Sequence, residues 1–278
     1  MSSDANQKYV GRQQKDTGCI SQQRCEEINA TFGWDVNAGS GHPLAQLSHW
    51  CAFSPVVPTD DLGADGHPHK GGFLPDLGLE RRMWASGSLE FLQSLHVNET
   101  LTRSATIEKI DEKVGRMAFV TVSHEIHGKN GLAIRESQNI VYLAMPEKFD
   151  PPAKRPMPEK FVFQNRLSMP STRLFRFSSI TFNAHRIHYD LPYAQDVEKY
   201  PGLVVHGPLQ AMFLAKAASE YAKTELRSFQ FRGIHPALHF DDLAVCAEEQ
   251  TADNVLSLYV GVPNGHQTMQ AQATWQEG

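Results

Sequence analysis

The sequence contains few cysteines, no long apolar stretch and no concentration of positive charge. Its four cysteines, at positions 19, 25, 51 and 246 of 278 residues, have the spacing of neither a CxxC metal site nor a dense disulfide framework, so we expect reduced thiols. No stretch approaches the roughly 18 apolar residues of a membrane-spanning helix. No run of Lys or Arg exceeds two residues and the net charge is −5, so we expect neither nucleic acid nor a membrane as a partner.

The N-terminal 30 residues also lack the features of a targeting segment. They contain no apolar run of the kind found in signal peptides, and Asp4, Asp16, Glu26 and Glu27 argue against a transit peptide. A cytoplasmic protein is therefore expected. With 41% hydrophobic and 21% charged residues the composition is that of a soluble globular protein, and the length allows one large or two ordinary domains.

What the sequence does contain is a plan of helix and strands that occurs twice. Segments rich in Val, Ile, Phe and Thr, typical of an antiparallel meander, occupy residues 83–92, 101–110, 116–126 and 133–143. A helix predicted over residues 207–226 precedes a second set of strands. In each half a strand pair closes on an Asn-Gly turn, at Asn130-Gly131 and Asn264-Gly265, which is a strong hairpin signal.

This repeat predicts an α+β fold in two units. The N-terminal unit covers residues 1–145 and includes a short helix at 44–53 and a long loop at 54–79. A connector with five prolines follows at 146–160, and the C-terminal unit covers 161–278. Three histidines lie in or near the loop (His42, His67 and His69), but without an H-E-x-x-H pattern or a carboxylate at ligand spacing, so we expect no metal.

The segment with the strongest features of a functional site is residues 177–209. Its apolar start, residues 177–182, is expected to end a strand or a short turn, and Asn183, His185 and His188 follow where regular structure stops. Histidine exchanges protons near neutral pH, so His188 is the first candidate for a general acid or base.

A helix start follows within the same segment. The sequence His206-Gly207-Pro208 precedes an apolar helical period, and proline is well placed at an early helical position because no hydrogen bond is lost there. The first N–H groups of a helix lack intrahelical acceptors, and a glycine lets a ligand approach closely. Gly207 is therefore a candidate oxyanion-binding residue.

At this point the sequence resembles a known family. The pattern Asn183-x-His185-x-x-His188, followed by His206-Gly207, is similar to the D-x-N-P-[ILV]-H and H-G motif of MaoC-like proteins, the type 2 enoyl-CoA hydratases. The variant T-F-N-x-H-x-I-H-Y-D and the phrases HPHKGGFLPDL and RRMWASGSLEF resemble a subfamily with two hot-dog units. That subfamily includes itaconyl-CoA and mesaconyl-CoA hydratases and mitochondrial 3-hydroxyacyl-thioester dehydratases.

The resemblance implies a double hot-dog, two antiparallel sheets each wrapping a central helix, with the motif in the C-terminal unit. It implies a hydro-lyase that adds water to an enoyl thioester such as itaconyl-CoA or mesaconyl-CoA. The alternatives are a dehydratase of 3-hydroxyacyl-CoA or 3-hydroxyacyl-ACP and, from another class, a non-catalytic acyl-thioester-binding protein. No cofactor is implied, because the CoA thioester is the substrate. A homodimer is allowed but not required.

The motif also implies roles for single residues. His188, Asn183 and Gly207 are the expected catalytic residues; Asn183 stands where the family has Asp, and a carboxamide can orient a water but cannot deprotonate it. Asp190 is either a helper of a histidine or a helix cap. The expected substrate-binding residues are His185, Arg82, Arg186 and Trp84, since an arginine suits the second carboxylate of a dicarboxylic acyl group.

Overall fold

The computed structural model describes residues 6–34, 39–113, 116–248 and 254–275. Their ten strands form one antiparallel sheet. The strands are β1 (Gln13–Cys19), β2 (Arg81–Phe91), β3 (Thr100–Lys113), β4 (Met117–Gly128), β5 (Gly131–Leu143), β6 (Phe163–Leu167), β7 (Ser228–Gly233), β8 (Leu243–Ala247), β9 (Val255–Gly261) and β10 (Gln267–Thr274). The helices are α1 (Gln22–Phe32), α2 (Ser171–Thr181) and α3 (Gly207–Ala222).

The sheet consists of two five-stranded halves joined edge to edge. Its order is β1-β3-β4-β5-β2-β7-β10-β9-β8-β6, and the joint is the antiparallel pairing of β2 with β7, from Ser86 opposite Arg232 to Glu90 opposite Ser228. The α+β hot-dog class predicted from sequence is confirmed. The two sheets expected from sequence are the two halves of a single ten-stranded sheet. The domain boundaries remain a prediction; within residues 146–160 the only regular pairing is a bridge from Pro156 to His266.

The C-terminal half wraps helix α3. This helix has apolar residues on nearly all sides, and strands β7, β8, β9 and β10 pack around it. It begins at Gly207, as predicted, with Pro208 in its first turn, where a missing N–H costs nothing. It ends earlier than residue 226, because Lys223 adopts a left-handed conformation with φ of 54°.

Residues 177–182 do not end a strand, so that prediction is wrong. They belong to helix α2, in which Leu174, Phe177 and Ile180 recur every third residue and are all buried. That spacing puts the three side chains on one face of a helix, whereas a strand would alternate them. The helix stops at Phe182, whose φ of 51° turns the chain away.

The N-terminal half of the sheet is covered differently. Helix α1, capped by the Ser21 hydroxyl, packs on α2, and Phe32 meets Phe177 edge-on at 6.0 Å between ring centroids. The helix predicted at 44–53 is a single 3-10 turn, Ser48–Cys51. Apolar residues of the 54–79 loop, among them Phe73 and Leu77, pack on the sheet. Between loop and sheet remains a cavity of about 2170 Å³.

The structure also shows the state of the cysteines and the character of the helices. All four cysteines are free, and Cys25, Cys51 and Cys246 are buried, so the expectation of reduced thiols is confirmed. Among the described residues, no helix has both the length and the apolar character needed to cross a bilayer.

Candidate active site

The motif segment is a short loop held between α2 and α3. After Phe182, the Asn183 side-chain oxygen accepts the backbone N–H of His185 at 3.0 Å, which closes a local turn. A 3-10 turn, Arg186–His188, follows directly. This geometry points the rings of His185 and His188 into the cavity, which both residues line.

His188 has the geometry of a general base. Its ring Nδ1 lies 2.7 Å from the carbonyl oxygen of Val204, so Nδ1 carries the proton and Nε2 keeps a lone pair. Burial, then repulsion from His206 and His185 when those rings are protonated, holds the pKa of His188 well below its usual range. The ring is therefore neutral at physiological pH and able to accept a proton.

His206 supports His188 from behind. The two rings stack with their centroids 3.5 Å apart, and His206 Nε2 is 2.9 Å from the hydroxyl of Ser178. Burial lowers the pKa of His206 to about 3, so it adds no positive charge at neutral pH. The stack fixes the plane of the His188 ring.

Gly207, the first residue of α3, lies at the cavity wall. Its N–H has no acceptor within the helix and is at the positive end of the helix dipole. A Cβ placed on Gly207 would lie 3.8 Å from its nearest neighbours, the Met269 side chain and the Trp84 carbonyl. Packing within the protein thus does not require glycine here, and Gly207 lines the cavity.

His185 is anchored by a buried carboxylate. Its Nε2 lies 3.2 Å from Glu198, whose other oxygen accepts Arg81 Nε at 2.9 Å. Arg81 also donates to the Tyr200 hydroxyl at 2.5 Å. Burial would raise the pKa of Glu198, but the hydrogen bond and charge of His185 and the charge of Arg81 lower it overall, so Glu198 is ionised.

The loop at 54–79 brings a further histidine to the motif. The His67 ring centroid is 4.2 Å from that of His185, and His67 Nδ1 is 2.9 Å from the Asp65 carboxylate. We expected no carboxylate partner at ligand spacing for the loop histidines, and this is wrong, because Asp65 stands two residues before His67 and binds its ring. A carboxylate oxygen of Asp65 and one ring nitrogen each of His67 and His185 lie within 4.8 Å of one another.

The expected substrate-binding residues occupy different places. Arg82 is buried, lines the cavity and donates to the Pro68 carbonyl at 2.7 Å, and it forms no ion pair with any carboxylate in the described part of the chain. Arg186 is partly exposed and already bound to Asp190, with Nε and Nη2 at 2.9 and 2.7 Å from one oxygen. Trp84 lines the cavity and donates its indole N–H to the Ser86 carbonyl.

Asp190 has a local structural task. Besides binding Arg186, it accepts the backbone N–H of Tyr193 at 3.1 Å, and these contacts, the Tyr193 N–H first, lower its pKa. It makes no hydrogen bond with a histidine among the described residues, which agrees with the capping alternative.

Sequence reasoning missed three parts of this arrangement. Glu198 lies in a polar stretch whose sequence gives no signal of a buried carboxylate. Arg81 pairs with Glu198 only because strand β2 passes beside the motif loop. The Asp65-x-His67 spacing was a readable signal, since Asp commonly binds a group two residues ahead. Its link to the motif is a tertiary contact that spacing alone does not predict.

The family described as hydroxyacyl-thioester dehydratase type 2 matches residues 46–239. The chain is 39% identical over 245 residues to a mesaconyl-C(4)-CoA hydratase of Chloroflexus aurantiacus, covering 85% of this chain and 86% of that protein. It is 27% identical over 236 residues to the mitochondrial hydroxyacyl-thioester dehydratase type 2 of Schizosaccharomyces pombe, covering 72% and 76%.

Solved structures give the same fold. A MaoC-like dehydratase superposes with a TM-score of 0.72 over 98% of this chain and 99% of its own, at 12% identity. A MaoC-like dehydratase from Phytophthora capsici also has a TM-score of 0.72, over 96% of each chain at 14% identity. Sequence and fold agree, so the chain belongs to the hydroxyacyl-thioester dehydratase type 2 family of MaoC-like double hot-dog proteins and is a hydratase/dehydratase enzyme.

Proposed function

We propose that the enzyme adds water to an enoyl-CoA that carries a carboxylate on the carbon β to the thioester, as mesaconyl-C4-CoA does. The observation that carries this proposal is Arg82, a buried guanidinium at the cavity wall without a carboxylate partner in the described part of the chain. A buried cation without a counter-charge is costly, and a substrate carboxylate would remove that cost.

The position of Arg82 suits that substrate. It binds the Pro68 carbonyl, next to His67, whose ring contacts His185 in the motif. In mesaconyl-C4-CoA the carboxylate is attached to the carbon that water attacks, so its receptor has to lie beside the catalytic histidines. Arg186 is the weaker candidate, because Asp190 already neutralises it.

The proposed reaction uses His188 and Gly207. His188 Nε2 takes a proton from water while the water oxygen bonds to the β carbon, and the Gly207 N–H binds the thioester oxygen as negative charge develops there. Asn183 holds the His185 segment in place through its side-chain oxygen. Water is the only co-substrate and the thioester is the electron sink, so the reaction requires neither cofactor nor metal.

A second candidate is dehydration of a 3-hydroxyacyl thioester with a longer chain. The cavity, about 2170 Å³, exceeds the 300–1,000 Å³ of ordinary ligand pockets. Its wall includes apolar side chains of the N-terminal half such as Val122 and Ile140. A long acyl chain would fill this space. The choice between CoA and ACP as carrier, the cytoplasmic location and a homodimer remain predictions; the fission yeast relative is named as mitochondrial.

The test compares two substrates in two variants. Arg82→Gln keeps a donor for the Pro68 carbonyl but removes the charge, and Arg186→Gln is the matched control. Hydration of mesaconyl-C4-CoA and of neutral crotonyl-CoA is followed by loss of enoyl absorbance. We expect Arg82→Gln to lower kcat/KM for mesaconyl-C4-CoA by about 100-fold, the scale of a lost charged hydrogen bond, while crotonyl-CoA changes little.

An unchanged ratio of the two activities in Arg82→Gln would contradict the dicarboxylate proposal. The same ratio changing in Arg186→Gln would move the receptor to the motif loop. Faster turnover of long-chain 3-hydroxyacyl thioesters than of mesaconyl-C4-CoA by the unaltered enzyme would favour the dehydratase.

A further inference from the structure

The loop segment 63–67 is fastened to the motif loop at several points. The Asp65 carbonyl accepts the backbone N–H of Arg186 at 2.9 Å, and the Ala64 carbonyl accepts Arg186 Nη1 at 3.0 Å. Gly66 has φ of +88°, and a Cβ there would come within 1.8 Å of the Ala184 carbonyl oxygen. The side chain that follows, His67, is therefore placed against the motif as firmly as the motif's own histidines.

His67 and Asp65 form a pair of defined polarity. The Asp65 carboxylate binds His67 twice, at the backbone N–H (3.0 Å) and at ring Nδ1 (2.9 Å). This leaves His67 Nε2 without a hydrogen bond to any described residue, in a ring that lines the cavity. Asp65 makes no salt bridge with Lys or Arg in the described ranges, so its charge is available to stabilise a proton on His67.

The proposed reaction includes a second proton transfer. Hydration transfers one proton from water and one to the carbon α to the thioester. His188 provides for the first, and Asn183 has no proton to give at neutral pH. Asp190 is bound to Arg186 and Tyr193, and His206 lies behind His188 with its Nε2 on Ser178.

Of the histidines whose rings contact one another at the motif, two remain, His185 and His67. His185 is held by Glu198, but Arg81 shares that carboxylate and reduces its attraction for a proton. The Asp65 carboxylate has His67 as its ion-pair partner and none other in the part of the chain that the structure describes. Geometry therefore favours His67, because no Lys or Arg side chain in the described ranges shares its carboxylate partner.

We propose that His67, supported by Asp65, is the acid that protonates the α carbon. This rests on the hydration reaction proposed above. Protonated His67 Nε2 gives its proton to the α carbon, His188 Nε2 takes a proton from water, and the remaining hydroxide bonds to the β carbon. The enzyme is left with neutral His67 and protonated His188, and proton exchange with solvent resets the pair. Dehydration is the same sequence reversed.

Substrate charge and this proton are coupled. In the free enzyme the pKa of His67 is lowered to about 4, mainly by burial. The hydrogen bond to Asp65 raises this pKa, whereas the charges of His185 and Arg82 lower it further. A substrate carboxylate bound to Arg82 cancels one of those positive charges. The substrate thus favours the protonated form of the acid that its own hydration needs.

The test uses His67→Gln, Asp65→Asn and, as matched control, His69→Gln, a histidine of the same loop. Each is assayed with mesaconyl-C4-CoA and crotonyl-CoA, and exchange of the product's α hydrogen is followed by NMR in D₂O. We expect His67→Gln to lose about 100-fold or more in kcat on both substrates, with KM changed less than about threefold and α-hydrogen exchange abolished. His69→Gln should behave as the unaltered enzyme does.

Asp65→Asn separates a proton carrier from a loop support. Asp65 favours the protonated ring, so its loss lowers the pKa of His67, and the alkaline limb of the hydration pH profile should move to lower pH. A kcat of His67→Gln above about a third of wild type, or undiminished α-hydrogen exchange, would overturn the proposal. Crotonyl-CoA has no second carboxylate, so its hydration by His67→Gln tests the role of His67 even if the dicarboxylate proposal fails.

Discussion

Buried histidines occur in two clusters. The N-terminal cluster is His49 with Glu136, and the C-terminal cluster is His188 with His185, His206 and the half-buried His67. The clusters differ in what surrounds the ring nitrogen that is not anchored to an acceptor. In the N-terminal half, Glu136 accepts His49 at 3.0 Å, the Trp50 indole at 3.0 Å and Gln138 at 2.8 Å. His49 Nδ1 is buried and has no partner among the described residues. In the other cluster, His188 has one ring nitrogen fixed by an acceptor and the other beside the cavity.

The difference shows what turns a buried histidine into a reagent. Both clusters combine imidazole with a carboxylate in the interior, so residue type alone does not separate them. In the N-terminal cluster all interactions end within the protein, and Glu136 is only 4% exposed. In the C-terminal cluster His188 and His67 each have Nδ1 beside an acceptor within the protein, and both residues line the cavity. The first arrangement stabilises, whereas the second can transfer protons.

The largest expected effect concerns His188 and its counterpart His49. His188→Ala should lower turnover by about 100-fold or more, because no other neutral histidine at the cavity has its geometry as base. His49→Gln keeps a donor for Glu136 and should leave turnover within about threefold while lowering the urea midpoint. Steady-state kinetics and unfolding curves on both variants check this.

Near-normal turnover in His188→Ala would remove His188 from the proton-transfer role. A large loss of turnover in folded His49→Gln would erase the distinction between the clusters, since it would give the N-terminal one a part in the reaction.

Protonation of His206 and of Glu136 should begin to lower the stability of the protein at different pH values. The pKa of His206, lowered by burial to about 3, lies below that of an unfolded histidine at 6.5, so the unfolded chain binds more protons between them. Stability should therefore fall as pH drops below 6.5, by up to about 1.4 kcal/mol per unit for each such histidine.

Glu136 acts lower on the pH scale. Burial raises its pKa, but His49, His124 and Gln138 lower it overall, below the usual 4.5. Its contribution is complete above pH 4.5 and is lost as pH falls through the folded-state value. Urea unfolding at pH 7, 5.5, 4.5 and 3.5 should show that His206→Gln flattens the fall in stability over the whole range below pH 6.5, whereas Glu136→Gln changes the slope only below pH 4.5. Identical pH slopes in both variants would contradict the assignment.

The sequence predicted the parts of this protein that depend on local patterns. Strands β2 to β5, the two Asn-Gly hairpins and the start of α3 at Gly207 follow from side-chain period and turn chemistry. Helix α2 was misjudged, because a short window with Ile180, Thr181 and Phe182 favours a strand by propensity, and packing on α1 overrides it.

The motif residues of the site were predictable from the sequence, but the side chains that contact them were not. His185, His188 and Gly207 lie together because they are close in sequence or frame one helix start. Arg81 and His67 join them through strand and loop contacts over long sequence separations, whereas Glu198 lies within the same segment, 13 residues after His185. No single-sequence pattern carries that information, since it depends on how the loop at 54–79 closes over the sheet.

The smallest effect expected is at Asn183, where the related motif has Asp. The Asn183 oxygen accepts the His185 N–H at 3.0 Å, and a carboxylate can make the same bond, so Asn183→Asp should keep the motif loop in place and change turnover by no more than about threefold. Asn183→Leu removes the acceptor, frees the segment carrying His185 and His188, and should lower turnover at least about tenfold. Steady-state kinetics with crotonyl-CoA, which avoids repulsion between the new charge and a substrate carboxylate, measures both. Should the two variants be equally active, the turn at Asn183 does not position the histidines, and the loop at 63–67, fastened to Ala184 and Arg186, holds them without it.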